Sequence, residues 1–441
     1  SSRMQPNCAP TRAALLSGQY AARSGNGVYN VQSLNRGSKG RAQDPSERPE
    51  YSHSGSRLVP PPQVEDVPSS TITVAEALQL SGYVTAHFGK FHVGGRSPET
   101  FPEMQGFDFN FAGCLFGHQK SCFAREGANG WTYQPFVGRP ELDPYAAPYD
   151  GEYLEANGLP DSLESTPKHI CDAMGDALLD FIQTHRESDA GEKPFYAQFH
   201  PYAVHGPHQP RSDLKEHFAD QTPGERHQSV NYAAFIRGLD GTVGRLLDYL
   251  DDPNGDGDAS DSIAGDTYVF FTSDNGGAGP TTNVPLRRHK GTFYDGGIRV
   301  PLIARRPGFV EEGSMSDTLV HAIDFYPTFL DLAGGISPFI NPQLDGESFA
   351  SVLRGEEATR DREKPICYYF PGYMDNRAWP IAVTIQEIDD LRYKLLYSYE
   401  TGMVELYCLS TDISETTNLL GEENRDSNLE LANKMIDELN D

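Results

Sequence analysis

Three short apolar runs in this chain each end in polar residues able to do chemistry. Residues 83–88 lead into Gly89-Lys90-Phe91-His92, residues 195–199 lead toward His205, and residues 268–271 lead into Thr272-Ser273-Asp274-Asn275-Gly276-Gly277. An apolar run of this length bounded by turn residues reads as a buried strand followed by a loop. Between the runs, residues 170–182 and 232–250 repeat apolar side chains at helical spacing. Alternating strands and helices predict an α/β fold, a mostly parallel central sheet with helices on both faces. In such sheets ligands gather at the carboxyl ends of the strands, which here are the three polar loops.

The pattern changes after residue 345. Residues 381–385, 393–399 and 404–409 are strand-like, the last two joined across Glu400-Thr401-Gly402, and residues 428–439 read as a helix. We therefore expect a catalytic α/β domain over residues 1–345 and a smaller C-terminal α+β domain with an antiparallel sheet over 346–441. The segments 34–70 and 113–165 are rich in Gly, Pro, Ser and charge. They read as long surface loops that shape a substrate cleft.

Thirty-six basic against 63 acidic residues leave a net charge of −27. That balance repels nucleic acid and anionic membrane, so an anionic substrate needs a local basic pocket. No apolar run approaches the roughly 20 residues of a membrane span. Six cysteines form no C-x-x-C pair, which argues against a zinc or thioredoxin-like site, while Cys114 and Cys122 are close enough in sequence to bridge.

Near the start of the chain stands Asn7-Cys8-Ala9-Pro10-Thr11-Arg12, running on to Leu16-Ser17-Gly18. Pro10 suits the first helical position and Gly18 the end, which puts Cys8 just outside a helix N-terminus. Such an end favours an anionic nucleophile or a bound oxyanion, although a lone cysteine also fits as a small buried hydrophobe. Lys90 and His92 alternate in an extended segment and face one side. Lys290 lies in Arg287-Arg288-His289-Lys290-Gly291, ahead of Gly296-Gly297 and a strand at 300–304. Basic side chains at several strand ends of an acidic protein predict an anion pocket. Asp274-Asn275 offers two hard oxygen ligands for Ca²⁺ or Mg²⁺. Asp252-x-Asn254-x-Asp256-Gly257 matches the opening of a calcium loop, but Ile263 stands where the closing acid belongs, so it reads as a solvated acidic hairpin.

Cys8-Ala9-Pro10-Thr11-Arg12 with Ser17-Gly18 resembles the C-x-P-x-R-x(4)-[ST]-G signature of the type I sulfatases, within the alkaline phosphatase superfamily. Gly89 to His92, Ser273 to Gly277, Lys290 to Pro301 and the closing Glu405-Leu406-Tyr407-Cys408 to Leu420 stretch resemble further blocks of that family, in order. The resemblance implies an alkaline phosphatase-like fold and sulfate ester hydrolysis. It implies that a formylglycine-generating or anaerobic maturing enzyme oxidises Cys8 to formylglycine, whose hydrate attacks sulfur. By the same carry-over Arg12 steadies that group, Lys90 and Lys290 hold sulfate oxygens, and His92 and His205 orient the nucleophile and protonate the leaving oxygen. One calcium ion is implied, on Asp274, Asn275 and the group at Cys8. Both His205 and His208 stand in the expected His-x-Pro context; the interval from the preceding strand favours His205, and His200 reads as a packed strand residue. Asp295 stands where the family usually has Glu. The family's first strand, with a pair of Asp ligands, belongs before Cys8, so the chain reads as N-terminally truncated, from a periplasmic or secreted enzyme. The substrate expectation is a sulfated carbohydrate or aryl sulfate, with Lys90, His205, Lys290 and Arg377 binding it and Trp131, Tyr133, Tyr373 and Trp379 supplying aromatic surface. A phosphomonoester or phosphonate ester hydrolase, or a non-catalytic sulfated-glycan-binding fragment, are the alternatives.

Overall fold

A computed structural model describes residues 2–23, 58, 64–134, 136–188, 190–335, 343–372, 374, 377–421 and 425–440. The chain opens with strand β1 (Ser2–Arg3) and helix α1 (Cys8–Ser17), followed by helix α2 (Val74–Leu80) and strand β2 (Val84–Gly89). Strand β2 lies between β3 (Phe109–Phe111) and, after helix α3 (Ile170–Glu187), β6 (Phe195–His200), both parallel to it; Phe88 stands opposite Phe111 and Phe199. The intervening hairpin is β4 (Arg125–Gly127) and β5 (Gly130–Thr132). Helix α3 turns Ile170, Ala173, Met174, Ala177, Leu178, Phe181 and Ile182 onto Ala86 and Phe88, the one-sided burial that its apolar spacing predicts. Helix α4 (Val230–Asp251) starts at Ser229, whose side chain accepts from Tyr232 N, and packs against α3 through Phe235 and Thr242.

Strand β7 (Val269–Thr272) carries the Asp274 loop at its end and pairs antiparallel with β9 (Leu302–Arg305). Helix α5 (Asp295–Ile298) and strand β8 (Arg299–Val300) precede β9; the strand expected over 300–304 is split because Pro301 has no N–H for the ladder. Strand β1 pairs antiparallel with β8 and parallel with β10 (Val320–His321). Parallel pairing thus holds in the β3-β2-β6 sheet and at β1–β10, while β7, which carries Asp274, pairs antiparallel.

At the C-terminal end, β11 (Ile366–Phe370), β12 (Ile381–Ile388), β13 (Leu391–Ser398) and β14 (Val404–Cys408) form one antiparallel sheet in that order. Gly402, at φ +68°, closes the β13–β14 turn in the left-handed conformation that glycine reaches without strain. One face packs on Phe293 and Ile298, and helix α6 (Arg425–Asn440) covers Leu395 and Leu406 on the other through Ala432 and Met435.

Three expectations need correction. Residues 113–165 are not merely a surface loop: Tyr133, Val137, Leu142, Tyr149 and Leu154 are buried in it. Their burial was hidden because they are scattered among Gly and Pro with no regular period. Tyr133 is fully buried, with its hydroxyl donating to Lys168 O at 3.0 Å, so it offers no free face to a sugar, while Trp131 is partly buried against the same core. Cys114 and Cys122 are both free thiols: Cys114 Sγ donates to Val137 O, and Gln119 Nε2 donates to Cys122 Sγ at 3.2 Å. Tyr373 and residues 34–57 lie outside the described residues. Residues 252–258 form a hairpin whose carboxylates cap their own backbone: Asp252 accepts from Gly255 N and Gly257 N, and Asp256 from Asp258 N. Among the described residues no helix is long and apolar enough to cross a membrane.

Candidate active site

Asn7, extended at φ −144° and ψ 163°, makes the turn into α1, so Cys8 is the first residue of the helix rather than just outside it. Pro10 then falls in the first turn, where its missing N–H costs nothing. Almost the whole of α1 is buried, and Cys8 keeps only 6% of its surface exposed.

The ends of β2, β6 and β7 converge on this helix start. Lys290 Nζ donates to Cys8 Sγ at 3.0 Å, and Asn275 Oδ1 lies 3.4 Å from the same sulfur. Arg12, one turn along α1, donates from Nε and Nη2 to Asp274 Oδ2 at 3.2 and 2.9 Å. Its Nη1 donates to Lys90 O and, at 2.9 Å, to His200 Nδ1. Thr11 Oγ1 donates to Asp274 O at 2.6 Å, fixing the β7 loop to the helix, and Lys90 Nζ stands 3.7 Å from Asp274 Oδ2. Close approach is possible because the backbone is small where loops touch: Gly276 N donates to Gly297 O, and a Cβ on Gly276 would meet Gly296 O at 2.0 Å. Lys290 N is held by Gly277 O, and Gly291 N by Pro6 O.

His92 hydrogen-bonds to Cys8 and sits at φ +74°, a conformation costly for histidine that is held by its N–H donating to Cys114 O at 2.8 Å. A Cβ at Gly117 would stand 2.4 Å from the His92 ring, so only glycine lets that loop lie on it. His205 is fixed through its N–H to Tyr202 O and its Nδ1 to Gly206 O, both 2.9 Å. His208 instead packs edge-on against Tyr232 of α4, 5.1 Å between ring centres. Arg377 lies over Gly291, its Cδ 3.0 Å from where a Cβ would be, next to Lys290.

Opposed charges set the electrostatics. Burial and the Asp274 carboxylate push the Cys8 thiol up, but Lys90, Lys290 and the bond from His92 outweigh them and bring it well below the ordinary thiol range. Burial also raises Asp274, and Lys90, Arg12 and Lys290 overcome it, holding that carboxyl far below the usual range. Burial pulls the His92 imidazole down to about 4, against the bond from Cys8. His205 is lowered by burial and then by Lys90. Lys290 is raised: burial lowers it, but Cys8 and Asp274 more than restore the charge. In an acidic protein this is a concentrated cationic pocket around one buried sulfur.

The residues named from the sequence thus meet in one place: Cys8, Arg12, Lys90, His92, His205, Asp274, Asn275 and Lys290, with Arg377 beside them. His200 is a correction. It is not only a packed strand residue but an acceptor for the Arg12 guanidinium, a contact across 188 positions that no local pattern announces. Asp274, Asn275 and Cys8 do not by themselves fit a calcium ion. Two side-chain oxygen donors fall short of the six to eight oxygens that the ion takes, and Arg12 already occupies the carboxylate. Among the described residues no three His, Cys, Asp or Glu side chains come together to hold a metal.

Comparison with known proteins adds the family. The sulfatase family profile matches residues 3–336, and a second profile, described as N-sulphoglucosamine sulphohydrolase, C-terminal, matches residues 288–441. A sulfatase of Formosa agariphila is 43% identical over 99% of this chain and 79% of its own length. Human N-acetylgalactosamine-6-sulfatase is 29% identical over 82% of this chain, which spans 59% of that protein. In structure, Ps i-CgsB in complex with k-i-k-neocarrahexaose superposes with a TM-score of 0.67 at 23% identity, covering 100% of this chain and 83% of the other. The fold is the alkaline phosphatase-like α/β arrangement with a C-terminal antiparallel sheet.

Proposed function

The chain belongs to the sulfatase family, enzymes that hydrolyse sulfate esters, and we infer that it releases sulfate from a sulfated sugar at the pocket around Cys8. The observation that carries this reading is that Lys290 donates to the helix-start Cys8 while Lys90 and Arg12 gather on Asp274 beside it, a cationic seat for a sulfuryl group next to a nucleophile position. The sugar is supported by two similar proteins, N-acetylgalactosamine-6-sulfatase and Ps i-CgsB in complex with k-i-k-neocarrahexaose.

In the proposed chemistry Cys8 is matured to formylglycine, which when hydrated supplies the oxygen nucleophile for sulfur. The chain's own residues do the rest. Lys290, beside position 8, and Lys90 hold the sulfuryl oxygens and meet charge that grows in the transition state. The N–H groups at the start of α1 add partial positive charge at the same point. Arg12 fixes Asp274 and so the β7 loop, and His92 orients the group at position 8. His205, its imidazolium made more acidic by burial and Lys90, gives a proton to the leaving sugar oxygen. A calcium ion is consistent with the family, and no step here depends on it.

The test is ester preference. Protein from a host that matures other sulfatases is assayed on 4-nitrophenyl sulfate, 4-nitrophenyl phosphate, N-acetylgalactosamine 6-sulfate and a carrageenan oligosaccharide. Sulfate release at least about 10²-fold faster than phosphate release, with turnover of a saccharide, is expected. Faster phosphate release overturns the reading in favour of a phosphomonoester hydrolase.

The assignment of His205 predicts a contrast. His205→Ala lowers kcat on the saccharide by about 10²-fold and much less on 4-nitrophenyl sulfate, because a nitrophenolate leaves without a proton. His208→Ala, which loses only packing on Tyr232, stays within a few-fold on both. A larger saccharide defect at His208 reverses the assignment.

A further inference from the structure

His118 lies outside every sequence block that marks the site, yet its loop is built onto both active-site histidines. Its ring stacks on that of His205, centres 5.4 Å apart and planes within 6°. One residue earlier, Gly117 lies directly on the His92 ring. The loop is tied in place at both sides: Gln119 Nε2 donates to His205 O at 3.2 Å, and Cys122 N donates to Gln209 Oε1 at 2.9 Å. Gln119 is fully buried while His118 beside it is exposed, so a buried anchor holds an exposed ring over the site.

The two stacked rings are mounted alike. His118 Nδ1 lies 2.9 Å from Gln119 O, as His205 Nδ1 does from Gly206 O. A carbonyl oxygen only accepts, so each Nδ1 carries a hydrogen and each Nε2 is the remaining ring nitrogen. Neither Nε2 has a hydrogen-bond partner among the described residues. Two stacked imidazoles with unbonded Nε2 atoms, the inner one beside Lys90 and Lys290, make a ready seat for neighbouring oxygens of a polyol.

We propose that His118 is a substrate-binding residue: its Nε2 takes a hydroxyl of the sugar that carries the sulfate, while His205 takes the esterified oxygen. This rests on the sulfated-sugar reading above. It gives the enzyme a contact that an aryl sulfate, with no such hydroxyl, does not use. Specificity for a hydroxyl is then set by a polar atom that is left unpaired when the hydroxyl is absent.

The experiment compares His118→Ala and His118→Phe with the unaltered enzyme on 4-nitrophenyl sulfate and on whichever of N-acetylgalactosamine 6-sulfate and the carrageenan oligosaccharide it turns over. Phenylalanine keeps a ring to stack on His205 and removes the nitrogen. In both variants the ratio of kcat/KM for the saccharide to that for the aryl ester falls about tenfold, chiefly through a higher KM. A ratio that stays constant in His118→Phe overturns the proposal, because the ring then serves only to prop His205. Absence of sulfate release from any ester by the unaltered enzyme overturns the sulfated-sugar reading itself, a result distinct from the first.

Discussion

Cys8→Ala abolishes sulfate release and leaves the fold in place. The two halves of this expectation have separate grounds. Activity is lost because the Cys8 sulfur occupies the point at which Lys290, Asn275 and His92 meet. Among the described residues no neighbouring group offers a replacement: Asp274 is bound to Arg12, and Lys290 is held charged by Cys8 and Asp274. The fold survives because α1 does not rely on that side chain. Its packing comes from Ala9, Ala13, Ala14 and Leu16, its turn-in from the extended Asn7, and its end from Gly18, whose N–H bonds Ala14 O. The measurements are sulfate release, a thermal midpoint within a few degrees of the unaltered protein, and mass spectrometry of the peptide carrying position 8 in active enzyme. That peptide carries an aldehyde or its hydrate. An active enzyme whose peptide is wholly thiol, or turnover by Cys8→Ala, defeats the assignment of the nucleophile.

Much of this site was readable because its parts are local. Each apolar run ending in Lys90, His205 or Asp274 is a few residues long, and a buried strand writes itself as such a run. The hairpin at Gly402 and the stripe of α3 are readable for the same reason. What could not be read depends on partners distant in the chain. His118 looks like any polar loop residue until its ring meets His205, 87 positions on. The acceptor role of His200 exists only because Arg12 reaches it across the β2 end. Strand β11 contains Tyr369, half-exposed, between buried Tyr368 and Phe370, and its pairing with β12 rather than its own pattern makes it a strand. The burial of Tyr133, Val137, Leu142, Tyr149 and Leu154 is not legible because irregular chain can bury side chains without any period, provided that its backbone groups find partners, as Tyr133 N does on Asp143.

The C-terminal sheet reaches the site through four buried charges, and cutting one of them produces the largest stability loss we expect in the molecule. Asp295, at the start of α5, receives Arg3 Nη2 at 2.8 Å and Lys394 Nζ at 3.0 Å; Lys394 also donates to Glu415 Oε1 at 2.7 Å, and Glu415 Oε2 accepts the Asp295 N–H at 2.7 Å. All four side chains have essentially no exposure. Within this buried group two cations face two carboxylates, and Lys394 and Arg3, helped by the part-exposed Arg299 at 3.8 Å, hold Asp295 ionised in spite of its burial. Lys394→Met leaves Asp295 with Arg3 and, at 3.8 Å, Arg299, but takes from Glu415 the cation it faces, and an uncompensated buried charge of this kind costs about 3–5 kcal/mol. Because Gly296 and Gly297 follow Asp295 and bind Arg287 O and Gly276 N, the same loss loosens the loops that carry Lys290 and Asp274, so kcat falls with the thermal midpoint. Adding Glu415→Gln to Lys394→Met restores balance: Arg3 keeps Asp295, and the glutamine oxygen still accepts the Asp295 N–H. The double variant therefore loses clearly less stability than the sum of the two single variants, the coupling that contacting charges show in a mutant cycle. Additive losses, or a Lys394→Met variant within about 1 kcal/mol of the unaltered protein, contradict this account of how the sheet supports the site.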